Sequence, residues 1–196
     1  MVKCAVLGWG SLVWRPGGLK IAAPFAPNGP LAPIEFCRVS RDGRLTLAID
    51  EAVGALCKTY SALSGLETLD AAIDDLCARE EMADARAVGF VEPASGRQSE
   101  VAMQSHPQVV ATIGAWAESL GYDAAIWTAL ASNFDDWGKG GEPFSVSAAM
   151  QYLEKLEDED PARFAHALEH VRKAPPQVQT PVREEVAKRW PAGPSR

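Results

Sequence analysis

Short apolar or alternating runs dominate the first 105 residues, and helical spacing takes over afterwards. Residues 4–7 form an apolar run that predicts a first strand, and residues 34–41, 45–49 and 53–60 are rich in β-compatible side chains. The Asp42-Gly43 turn joins two of these into a hairpin. Residues 16–33, dense in Pro, Gly and Ala, read as an irregular surface excursion. From Thr68 the period changes: Leu69, Ile73, Leu76 and Cys77 have helical spacing, which predicts a helix of three to four turns. Strands at 87–92 and 98–104 follow, separated by the turn Pro93-Ala94-Ser95-Gly96.

The second half predicts a helix at 111–120 ended by Gly121, a short strand at 124–130, a loop at 134–143, and helices at 145–156 and 161–173. Ser145 or Ser147 caps the first of that last pair. Pro175-Pro176, Pro181 and the tail from Trp190 to Arg196 read as an arm lying on the domain or fraying into solvent. The pattern predicts an α+β fold over residues 1–105, a mainly antiparallel sheet holding a core-facing helix, either open or closed into a small β-barrel. A mainly helical extension over 106–196 packs on the same domain.

Composition narrows the function classes. A chain of 196 residues suits one self-sufficient core. A net charge of -7 and 19 scattered basic residues argue against a nucleic-acid surface, leaving a small molecule or protein as partner. No apolar stretch approaches membrane-spanning length. Cys4, Cys37, Cys57 and Cys77 sit in apolar segments without metal-ligand spacing and read as buried free thiols, with two disulfides formally open. Met1-Val2-Lys3 leads at once into a strand without a secretion signal, so a cytoplasmic protein is expected.

Two features carry candidate chemistry. The first is the loop Leu7, Gly8, Trp9, Gly10, Ser11 and Leu12, whose glycines let a ligand approach backbone N–H groups after a strand. The second is Glu80, four residues beyond Leu76 and therefore near the middle of the apolar stripe of its helix. A carboxylate facing a core is costly unless partnered, and burial raises its pKa into a range useful for moving protons. The competing structural reading has the helix end early, or Glu80 paired with Arg79, Arg86 or Arg38. His166 and His170, four apart on a helix, read as a solvated face rather than a metal site, and no metal ligands are assigned. Trp116, Trp127, Trp137 and Trp190, with Phe134, read as core packing. The charged run at 154–160 reads as a solvated helix end.

Gly8-Trp9-Gly10-Ser11-Leu12-Val13-Trp14, followed by Ala78-Arg79-Glu80 on a helix, resembles the γ-glutamylcyclotransferase-like superfamily, in its ChaC-type branch. Trp9 stands where that family carries Tyr. Arg38 to Ser40 before the Asp42-Gly43 turn, and Gly54 to Tyr60, are similar to the strands that close the family's barrel. The resemblance covers about residues 1–105 and implies the closed form, a small β-barrel. It implies that the backbone of Leu7, Gly8, Trp9, Gly10, Ser11 and Leu12 cradles a γ-glutamyl group, and that Glu80 is the general acid/base. The implied reaction closes the glutamyl unit to 5-oxoproline and releases its amine without metal or cofactor. The alternative is a non-catalytic small-molecule-binding or protein-interaction module on the same fold; another lyase or amide-bond chemistry in the same cleft is a third reading. Whether the chain forms a homodimer stays open.

Overall fold

In the computed structural model, residues 2–136 and 141–192 are described. Strand β1 (Cys4–Gly8) is buried along its whole length. Its side chains alternate between two cores, Ala5 and Leu7 on one face and Cys4 and Val6 on the other. It pairs antiparallel with β5 (Tyr60–Leu63) and parallel with β8 (Ala124–Thr128). β6 (Val88–Glu92) pairs with the far side of β8, and the two-residue β7 (Arg97–Gln98) forms the edge. The sheet order is β5-β1-β8-β6-β7. A second sheet has the order β3-β2-β4, built from β2 (Leu31–Val39), β3 (Leu45–Ile49) and β4 (Ala55–Lys58).

The fold is α+β, but these strands form two sheets rather than the expected closed barrel. The break falls at Thr59, inside the stretch read as one strand at 53–60. Its amide and its hydroxyl both donate to the Pro30 carbonyl, at 3.1 and 2.7 Å. The chain leaves its pairing with β2 there and starts its pairing with β1.

Layers follow from where each apolar face is buried. Helix α2 (Leu69–Arg79), N-capped by the Thr68 hydroxyl, lays Leu69, Ala72 and Leu76 on the β1 face that carries Cys4 and Val6. Leu76 has no exposed surface, and burying such a side chain contributes about 2 kcal/mol. The opposite face meets α4 (Pro107–Ser119), through Val109, Val110, Ile113 and Ala117, together with Ala32 and Ile34 of β2. The outer face of the second sheet, through Phe36, Val39 and Leu45, is covered by α5 (Val146–Glu159), α6 (Pro161–Arg172) and α7 (Pro181–Arg189). β8 and α4 come from beyond residue 105, so the two halves of the chain share one sheet and one core.

Gly89 illustrates how tightly β8 packs on β6: a Cβ there would lie 2.4 Å from the ring of Trp127, its registered neighbour. Trp127 is fully buried and its indole N–H donates to His106 Nε2 at 3.2 Å. Trp116 and Trp190 pack against the cores, and Phe134 is fully buried. Trp137 and tail residues 193–196 lie outside the described residues. Cys4, Cys37 and Cys57 are buried free thiols, and Cys77 is half-buried and free.

Two expected elements are corrected. Of residues 98–104 only Gln98 lies in a strand: after β7, the Ser99 hydroxyl accepts from the Ala102 amide and starts helix α3 (Glu100–Ser105). Nor is the expected C-terminal arm irregular over Pro181–Arg189, because Thr180 caps α7 with Pro181 at its first turn. Glu35, fully buried on β2, reaches that helix start and accepts from the Val182 amide at 3.3 Å.

Candidate active site

The loop after β1 turns into a four-residue helix, α1 (Ser11–Trp14), which Gly10 precedes without a side-chain cap. Leu7, Gly8, Trp9 and Leu12 are buried, whereas Gly10 and Ser11 are half-buried. The Trp9 ring is 3% exposed, and its N–H points at the Leu47 carbonyl of β3, 3.4 Å away. Its indole therefore shapes the loop from beneath. Only Gly10 and Ser11 of the six residues 7–12 reach the surface, so the loop can meet a ligand chiefly through these two and the backbone beside them.

Glu80 stands at the C-terminal cap of α2, one residue past the last helical position. Both expected structural features are present: the helix ends at Arg79, and Arg79 Nη1 lies 3.3 Å from Glu80 Oε1. Arg86 instead pairs with Asp84, and Arg38 donates to the Ala131 carbonyl. The Arg79 and Glu80 side chains are 17% and 24% exposed, which leaves the carboxylate largely but not wholly withdrawn from water. Burial pushes the Glu80 carboxyl above the usual carboxylate range, and the Arg79 cation opposes that rise.

The helix end is tightly closed. The amide of Met82 donates to the Cys77 carbonyl at 3.0 Å and that of Glu81 to Ala78 at 3.2 Å, the bond pair of a Schellman motif. Glu81 holds the left-handed position of that motif, with φ 51°, where glycine is the usual occupant.

Arg79 also connects the helix to the loop. Its Nε donates to the Pro16 carbonyl at 2.8 Å and its Nη2 to the Arg15 carbonyl, immediately after α1. Gly17 makes room for this seat: with φ 62°, a Cβ there would approach Arg79 Nε to 3.2 Å. One guanidinium thus spans Glu80 and the chain that leaves α1, the helix following the glycine loop. The Arg-Glu dipeptide is visible in the sequence, but the reach of Arg79 across more than sixty residues of chain carries no local signal.

A second contact missed by sequence reasoning lies at the same end of α1, where Trp14, its last residue, meets His170 of α6. His170 is 9% exposed and His166 is exposed, so the two histidines do not share a solvated face. Two concavities lie elsewhere. One of about 480 Å³ is lined by Glu67, Asp70, Glu92, Arg97 and Asp123, and one of about 230 Å³ by Leu31, Leu56, Glu51 and Val109. No helix among the described residues is long and apolar enough to cross a membrane. Comparison with protein-family models, curated proteins and solved structures finds no match.

Proposed function

We propose that this chain is a γ-glutamylcyclotransferase-like enzyme that converts a γ-glutamyl peptide or amine to 5-oxoproline and the free amine. The observation that carries the reading is Arg79, which ties the partly buried Glu80 carboxylate to the backbone leaving α1, the short helix into which the glycine loop runs. On this reading, Arg79 sets a proton-moving group relative to a loop able to offer backbone N–H groups.

The reaction needs little more. The α-amino group and the γ-carbonyl belong to the same glutamyl unit, so binding has only to select the folded conformer. Glu80, ionised, takes the proton from the α-ammonium. The freed nitrogen attacks the γ-carbonyl carbon, a C–N bond forms, and the loop amides near Gly10 and Ser11 stabilise the oxyanion. Collapse breaks the bond to the departing nitrogen, which receives the proton held by Glu80; the carboxylate so regenerated takes the second proton from the ring nitrogen and passes it to the released amine, which leaves as an ammonium. Electrons and protons balance within substrate and one carboxyl group. Because burial raises the Glu80 pKa, the rate climbs with pH through a midpoint above the ordinary carboxylate range.

The pairing of Glu80 with Arg79 favours a second reading, a binding module on the same fold in which the carboxylate serves only as an ion-pair partner. A panel of γ-glutamyl peptides and amines, assayed for 5-oxoproline, separates the two. The enzyme reading requires release by the parent chain and a loss of about a hundredfold or more in Glu80→Gln. Equal release by both chains sinks it.

A further inference from the structure

We propose that Arg79 is the positioning residue of this site, holding the Glu80 carboxylate in register with the 7–12 loop from a seat on the Arg15 and Pro16 carbonyls. The inference rests on the cyclotransferase reading and adds to it the group that fixes the geometry between acid/base and cradle.

The argument is one of donor inventory. A guanidinium offers five N–H donors in a planar fork, and here Nε, Nη2 and Nη1 are turned to three different acceptors: Pro16 O, Arg15 O and Glu80 Oε1. The first two fix the plane of the fork against the chain leaving α1. The third then fixes the carboxylate relative to that chain. A lysine carries the same charge but only a point donor, so it cannot span all three acceptors in one geometry. The seat is prepared from the loop side as well, since Gly17 leaves space where any Cβ would press on the arginine.

The remaining charges on neighbouring elements have other commitments. Asp75, on α2, accepts from the Lys20 amide at 2.7 Å. Arg86 and Asp84, on the turn after α2, pair with each other. Arg15 meets Arg79 through its carbonyl, while its own cation acts on Glu169. Arg79 is accordingly the charged side chain that acts directly on Glu80.

The test separates charge from geometry with Arg79→Lys and Arg79→Gln in the full-length chain. The Glu80 carboxyl titration is followed by carbon NMR, with Glu80→Gln used for assignment, and thermal unfolding confirms that each variant folds. Arg79→Gln is expected to raise the Glu80 midpoint by about one pH unit. Arg79→Lys should restore most of that shift, yet both variants should lower kcat for 5-oxoproline release by about tenfold to a hundredfold, more than they alter KM. Parental kcat in Arg79→Lys, or an unmoved titration in Arg79→Gln, overturns the proposal. If the parent chain releases no 5-oxoproline, the cyclotransferase reading falls by itself, and the titration still decides whether Arg79 governs Glu80.

Discussion

The rings of Trp14 and His170 meet with their centroids 5.7 Å apart and their planes tilted by 57°. This contact joins the last residue of α1, beside the candidate site, to a helix drawn from the far end of the chain. The imidazole is buried and faces Arg44 and Asp42 from the β2–β3 hairpin and Glu169 from its own helix. Burial, reinforced by Arg44, pushes its pKa down to about 4, so the folded protein holds it neutral.

That depression makes stability depend on pH in a defined window. The unfolded chain binds a proton near pH 6.5 and the folded chain only near pH 4, so stability is fully present above the first value and is lost as pH falls toward the second. The loss amounts to about 3 kcal/mol. His170→Phe keeps an aromatic ring against Trp14 but cannot titrate. Urea unfolding of both chains between pH 7 and pH 4 should show the parent losing that much more stability than the variant. Parallel curves would refute the assignment.

The left-handed φ of Glu81 makes the opposite kind of prediction, a gain. A side chain in this conformation costs about 1 kcal/mol that glycine does not incur, while glycine gives back part of it through the freer unfolded chain. Glu81→Gly should stabilise the protein by about 0.5 kcal/mol and raise Tm by about 1 to 2 °C. Glu81→Ala, which keeps the Cβ, should not. Calorimetry on the pair decides; a lower Tm in the glycine variant would mean that the Glu81 side chain has a stabilising role.

Much of this architecture is written in local pattern. β3 falls on the β-compatible run at 45–49, a helix starts after Thr68 where the period changes, and Ser145, one of two candidates, caps α5. What escapes is set by tertiary partners. Thr59 divides an apparently continuous strand because Pro30, far back in the chain, accepts its two bonds. Ser99 turns a β-like run into α3, a choice that the half-polar stretch 98–104 does not advertise. Thr180-Pro181 is a proper helix start, masked by the proline-rich composition around it. At the candidate site, Glu80 and the glycine loop are legible as residues, but the helical periodicity places Glu80 on a core face. Its true place at the helix cap depends on Glu81 accepting a conformation that sequence does not show.

Glu35 supplies the remaining test, since its carboxylate has no exposed surface and yet ends opposite a helix N-terminus. Burial pushes its pKa above the usual carboxylate range, with bonds from Thr180, Phe36 and Val182 opposing the rise. A raised folded pKa means that its contribution is fully present below the unfolded carboxylate range and is lost as pH rises through the folded value. Glu35→Gln retains an acceptor for the Val182 amide without the buried charge, so at neutral pH it should equal the parent or exceed it in stability. Glu35→Leu leaves that amide and the Thr180 hydroxyl without their partner and should cost about 1 to 3 kcal/mol. Hydrogen exchange localises the effect: protection should fall first across α7, whose start Glu35 serves, and stay unchanged in α2. A uniform loss across both helices would place the role of Glu35 in the second sheet itself rather than at the α7 cap.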